Sequence, residues 1–227
     1  MGRITVGIAI VAALLLAGCS AQGQQSPTSA GETESARHGG AIVMIGDSIM
    51  RGYGLSSSDL AWPQLLARDR SVTIDNLACD GAGFLAVGAS SECDSSFESI
   101  VSTAIDLHPA TVFIEGSDND FGEDGDALEA ATVTQIERLR SALPDATIIG
   151  LSTISGATAD PDQLALTDSR MERAITSVGG RFLAVGQPYS GNPKLMQQDQ
   201  EHPTSAGQLA ITRAVERALD SAGITLR

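Results

Sequence analysis

The chain has 227 residues, 42% hydrophobic and 19% charged, which is enough apolar matter for one domain's core and too much for a disordered chain. Its 14 Lys and Arg against 28 Asp and Glu give a net charge of −14, which argues against a nucleic-acid partner and against electrostatic adhesion to anionic lipid, since both need clustered cations. Three cysteines without a Cys-x-x-Cys pair argue against a disulfide scaffold and a thiolate zinc site; no metal or organic cofactor is implied, and any imidazole chemistry must use His38, His108 or His202.

In chain order, Met1-Gly2-Arg3 is followed by an apolar run over residues 4–17, the layout of a signal peptide and shorter than the roughly 20 residues a membrane-crossing helix needs. Leu16-Ala17-Gly18-Cys19 resembles the lipobox of bacterial lipoproteins. The resemblance implies that residues 1–18 are removed and that Cys19 receives a diacylglycerol. The rest is then lipid-anchored in the bacterial cell envelope, on the extracytoplasmic side of a membrane. Each buried acyl CH₂ contributes about 0.8 kcal/mol to such an anchor. The alternative is an ordinary secretory signal with a chance Cys. Cleavage removes Arg3 alone, so 13 basic against 28 acidic residues leave −15 on the exported part. Residues 19–40 are rich in Ser, Gln, Gly, Thr and Pro and read as a flexible tether. His38 lies in it, a poor place for a precisely held catalytic group.

The domain is expected over residues 41–227. Apolar runs rich in β-branched residues predict strands at 41–45, 72–76, 111–114, 146–149 and 181–185. Helices are predicted at 62–68, 97–107, 126–143, 161–178 and 203–222; in the last, Ile211, Val215 and Leu219 fall four apart on one face. This alternation predicts an α/β fold, a three-layer α/β/α sandwich on a five-stranded, mostly parallel sheet of flavodoxin-like order. In an oxidising compartment Cys79 and Cys93 are expected to pair as a disulfide, the alternative being two buried thiols. A monomer is expected.

Sheets of this kind place function beyond the carboxyl ends of their strands. There the sequence puts Gly46-Asp47-Ser48, Gly81, Asn119 and, before the last helix, Asp199 and His202. A serine needs a base to take its proton, and the base needs an acceptor on its other ring nitrogen; Asp199, three residues before His202, is within reach of Nδ1. A developing oxyanion needs donors, which the N–H groups of Ser48 and Gly81 and the Asn119 amide could supply.

The four segments together resemble the SGNH hydrolases, the GDSL-like esterases and lipases. Ser48 sits in Gly46-Asp47-Ser48-Ile49, with Ile for the usual Leu. The second segment is Asn76-Leu77-Ala78-Cys79-Asp80-Gly81; the third, Glu115-Gly116-Ser117-Asp118-Asn119-Asp120, has Ser117 where the family's Gly-x-Asn-Asp has Gly. The last, Asp199-Gln200-Glu201-His202-Pro203, resembles the family's Asp-x-x-His-Pro ending. The resemblance spans residues 42 to about 222. It implies a serine esterase acting through an acyl-enzyme on Ser48, with His202 as base, Asp199 as its orienting acid, and Ser48, Gly81 and Asn119 forming the oxyanion hole.

Simpler readings exist for several of these residues. Ser48 would serve as a helix N-cap, and His202 as a polar residue before a Pro at the start of the last helix. Gly83 is a rival donor to Gly81, and Glu201 and Asp120 are rivals to Asp199. His108, before Pro109 at a helix end, suits a surface or capping role, while Asp47 and Asp120 suit loop-holding hydrogen bonds to backbone. Two other functions fit the same sequence: acyl transfer to an envelope glycan or lipid, and an inactive binding lipoprotein on this fold. The substrate walls are expected from residues 82–96, 122–127 and 189–198.

Overall fold

The computed structural model describes residues 42–91 and 93–227. The predicted signal peptide, Cys19, the tether and His38 lie outside them.

Five short strands form one parallel sheet: β1 (Ile42–Ile45), β2 (Ile74–Asn76), β3 (Thr111–Glu115), β4 (Thr147–Leu151) and β5 (Arg181–Leu183). The order is β2-β1-β3-β4-β5, the flavodoxin-like order expected. All four residues of β1 are buried, as a central strand covered on both faces requires. The helices are α1 (Ser48–Arg51), α2 (Trp62–Arg70), α3 (Phe97–Asp106), α4 (Gly125–Ala142), α5 (Pro161–Ser177) and α6 (Ser205–Ser221).

Alternate strand residues feed two cores, because successive side chains point to opposite faces. On one face Val43, Ile45, Val112, Ile114 and Ile148 pack with Phe97 and Ile100 of α3, Ile136 of α4 and Met171 of α5. On the other, Ile42, Met44, Phe113 and Ile149 meet Trp62 and Leu66 of α2 and Ile211, Val215 and Leu219 of α6. The apolar stripe read in the last helix is therefore the stripe that docks on the sheet.

Most element ends lie one or two residues from expectation, and two of these shifts have a visible cause. The last helix begins at Ser205 with Thr204 as its N-cap, so Pro203 is not its first residue. Pro203 instead forms an antiparallel bridge with Met196, and the Gln197 N–H donates to the His202 carbonyl at 2.7 Å. β5 ends at Leu183, two residues early, since the Ser152 hydroxyl accepts the N–H groups of Val185 and Gly186 and draws the chain off the sheet.

The chain leaves β1 toward β2 and leaves β3 toward β4. These adjacent strands turn opposite ways, and the crevice between them opens where residues 46–48 and 116–120 project. Cys79 and Cys93 are bonded as a disulfide with Cα atoms 6.0 Å apart, closing the loop that follows β2.

Candidate active site

Asp47, leaving β1, caps α1 by accepting the Ile49 N–H at 2.9 Å, which makes Ser48 the first helical residue rather than the cap. Ser48 Oγ lies 3.0 Å from His202 Nε2, and His202 Nδ1 lies 2.9 Å from Asp199 Oδ2. The other Asp199 oxygen accepts the N–H groups of Glu201 and His202, each at 3.0 Å. Burial pushes the Asp199 carboxyl up, but the His202 backbone N–H, the imidazole and the Glu201 N–H outweigh it and hold its pKa at about 2. An ionised Asp199 places the ring proton on Nδ1, leaving Nε2 to accept the Ser48 hydroxyl proton.

The 3.0 Å and 2.9 Å contacts bring together three residues drawn from opposite ends of the domain. Neither rival acid competes. Glu201 is exposed and donates its N–H to Asp199, while Asp120 accepts the N–H groups of Phe84, Leu85 and Ala86 at 2.7–2.9 Å. His108 follows α3 and precedes β3, at the amino end of the strands and across the sheet from the crevice.

The His202 loop is held from outside the last helix. Gln197 Nε2 donates to the carbonyls of Tyr53, at 2.7 Å, and Pro203, at 3.0 Å, joining the loop after α1 to the loop of the imidazole. The Tyr53 ring lies 4.5 Å from the His202 ring and is 49% exposed, forming an open wall of the site. The Tyr53 contacts were not visible in sequence, since Tyr53 lies 144 residues from Gln197 and 149 from His202 and shares no motif with either.

Among the described residues no acceptor takes the Ser48 or Gly81 N–H. The Gly83 N–H is spent on the Ala86 carbonyl at 3.0 Å, which separates the two rival glycines. Gly81 has φ +75°, a backbone that a side chain would strain. Arg51 of α1 is ion-paired with Asp80, tying the serine's helix to the residue before Gly81. Asn119 lies in a 3₁₀ turn after β3 and its Nδ2 donates to the Ala82 carbonyl at 3.2 Å and to Ser117 Oγ at 3.0 Å.

Beneath the site are two buried carboxyls, Asp47 and Glu115, whose hydrogen bonds come from backbone N–H groups and the Ser117 hydroxyl. Burial, then the charge of Asp118, pushes Asp47 up against the hydrogen bonds from Ser117 and Ile49. Burial, then the charge of Asp47, pushes Glu115 up. Glu115 Oε1 takes only a 3.4 Å contact from the Asp47 N–H, and its Oε2 has no hydrogen-bond partner. Glu115, with fewer donors to its carboxylate, has less to oppose that upward push than Asp47 has. Among the described residues no group of three or more His, Cys, Asp or Glu is placed to hold a metal ion.

Comparison with known proteins bears on this geometry. The model of the GDSL-like lipase/acylhydrolase family matches residues 44–210, which contain every residue of the site. The chain belongs to that family. As a GDSL-like acylhydrolase it is a carboxylic ester hydrolase. No curated protein matches it by sequence. Among solved structures, it resembles a psychrotrophic esterase, EstA from Pseudoalteromonas sp., with 16% identity and a TM-score of 0.65, over 81% of this chain and 98% of that one. It resembles the salicylyl-acyltransferase SsfX3 of a tetracycline biosynthetic pathway with 16% identity and a TM-score of 0.67, over 83% of this chain and 56% of that one. A family 2 carbohydrate esterase from Corynascus thermopiles (Myceliophthora fergusii) matches at 19% identity and a TM-score of 0.62, over 81% of this chain and 66% of that one. These likenesses establish the shared fold.

Two cavities flank the GDSL-like site. One of about 280 Å³ is lined by Tyr53, Gly54, Leu55 and Asp80 among others. Another of about 230 Å³ lies between residues 156–164 and 187–190. Only residues 189–190 of this second lining fall in the segments expected as walls; residues 156–164 follow β4 and carry no motif to mark them.

Proposed function

We propose that this chain is a lipid-anchored, extracytoplasmic serine esterase that hydrolyses carboxylic esters through an acyl-enzyme on Ser48. The hydrogen-bonded relay Ser48–His202–Asp199 carries this reading. Ser48 Oγ attacks the ester carbonyl as its proton passes to His202 Nε2, and Asp199 steadies the imidazolium that forms. The tetrahedral oxyanion is received by the N–H groups of Ser48 and Gly81 and by the Asn119 amide. Collapse breaks the bond to the alcohol, which leaves with the proton from His202. Water then attacks the acyl-enzyme, His202 takes its proton, and the acid departs with Ser48 restored. Ser48→Ala is expected to abolish both turnover of a short-chain nitrophenyl ester and labelling by a fluorophosphonate. Wild-type turnover in that variant would overturn the assignment, and a folded wild type inert to ester and probe would favour the binding lipoprotein.

The anchor rests on Leu16-Ala17-Gly18-Cys19, and the Cys79–Cys93 disulfide suits the oxidising side of a membrane. Cys19→Ser is expected to release the protein from the membrane fraction; retention would refute anchoring through Cys19. Acyl transfer is the second reading, supported by the acyltransferase among the structural relatives. Product analysis in mixed alcohol and water separates transfer from hydrolysis.

A further inference from the structure

We propose that Ser117, which stands where the GDSL-like family usually has Gly, is a positioning residue for the Asn119 amide. The inference rests on the oxyanion role proposed for Asn119.

Ser117 is fully buried, and its single oxygen touches three segments of the site. It accepts the Asn119 backbone N–H at 3.2 Å and the Asn119 Nδ2 at 3.0 Å. Its one hydroxyl proton has two acceptors in reach, Asp47 Oδ2 at 2.7 Å and the Ala82 carbonyl at 2.9 Å. Asp47 precedes Ser48 and Ala82 follows Gly81, so this hydroxyl joins the neighbours of all three proposed oxyanion donors. Glycine at this position has no atom that does this.

The Asn119 amide has two N–H bonds, and without substrate both are engaged inside the protein, on Ser117 Oγ and on the Ala82 carbonyl. To reach an oxyanion it must give one up. If it leaves Ala82, the Ser117 hydroxyl turns from Asp47 to that carbonyl, and the amide stays held through Ser117 Oγ. If it leaves Ser117, the hydroxyl oxygen still accepts the Asn119 backbone N–H. In either case the buried acceptor that Asn119 abandons keeps a donor, and in the first case the loss moves to Asp47 Oδ2, which gives up the Ser117 hydroxyl. No bond other than hydrogen bonds is made or broken.

The test is a double-mutant cycle on nitrophenyl ester turnover with Ser117→Ala and Asn119→Ala, with Ser117→Gly as a second variant that cannot fail through crowding. Thermal unfolding checks that each variant folds. Ser117→Ala and Ser117→Gly are expected to lower kcat about tenfold, the effect of one hydrogen bond lost in the transition state, with KM within twofold of wild type. In the Asn119→Ala background either change should have no further effect. A trifluoromethyl ketone, which forms the oxyanion on Ser48, should bind about tenfold more weakly to the Ser117 variants. Effects of Ser117 and Asn119 that multiply, or Ser117 variants within twofold of wild type while Asn119→Ala is slow, would overturn this inference and leave the oxyanion hole standing. An Asn119→Ala enzyme of wild-type kcat would instead overturn the oxyanion reading on which it rests.

Discussion

Replacing Asp199 tests how the imidazole is held, and the turn around it predicts an unusual order: Asp199→Asn should be slower than Asp199→Ala. One Asp199 oxygen faces His202 Nδ1, while the other accepts the Glu201 and His202 N–H groups. In the Asn variant those two N–H groups select the amide oxygen, which turns the amide NH₂ toward Nδ1. The ring proton must then sit on Nε2, where it faces Ser48 and cannot act as base. In a serine protease triad the same change costs about 10⁴ in kcat. In the Ala variant the ring is free to take either tautomer, and the loss is electrostatic. A carboxylate about 4 Å from the developing imidazolium contributes about 1 kcal/mol in water and about 4 kcal/mol at an effective dielectric of 20. The Asp199 side chain is 42% exposed, so solvent screening places it toward the lower figure. The expected fall in kcat for Asp199→Ala is thus about 5- to 100-fold. Steady-state hydrolysis of nitrophenyl acetate at pH 7 measures both, with thermal unfolding as a check on the fold. An Asn variant as fast as the Ala variant would refute the tautomer argument, and an Ala variant with wild-type kcat would remove Asp199 from the relay.

Asn119→Ala should lower kcat on the order of a hundredfold or more, and a change below threefold would take the amide out of the oxyanion hole. Glu115, raised above its ordinary 4.5, binds its proton more tightly folded than unfolded, so its stabilising effect is complete below 4.5 and is lost as pH rises through the raised value. Glu115→Gln should accordingly flatten the decline of Tm on going from pH 5 to pH 9, whereas curves parallel to wild type would show that Glu115 does not titrate differently in the two states. Removing the Cys79–Cys93 bond, which joins positions 14 apart, should cost about 3 kcal/mol and lower Tm by about 6 to 12 °C. An unchanged Tm in Cys79→Ser/Cys93→Ser would refute a stabilising role.

All five strands and the five longer helices were readable from the order of residues, because each depends on a local periodicity that the chain carries wherever it is placed. The strands at 42–45 and 111–115 show it as the apolar runs 42–45 and 112–114, and α6 shows it as Ile211, Val215 and Leu219. Ser48, Asp199 and His202 were legible for a related reason. With few histidines in the chain, the elements around His202 place it at the carboxyl edge of the sheet, and Asp199 is its near neighbour in sequence. The short helix α1 was not among the predicted helices because four residues hold barely more than one turn, and the delayed start of α6 was missed because the Met196–Pro203 bridge is a pairing between residues that share no pattern.

The contacts that tune the site belong to folding in three dimensions. Tyr53 against His202, Arg51 with Asp80, and Ser117 with Asp47 and Ala82 each join segments separated by 29 to 149 residues, too far apart for any local pattern to predict. The same holds for the buried state of Glu115 and Asp47. Their charge can be counted in the −14 of the chain, yet whether a carboxyl is ionised depends on the water and donors around it, which exist only once β1 and β3 lie side by side.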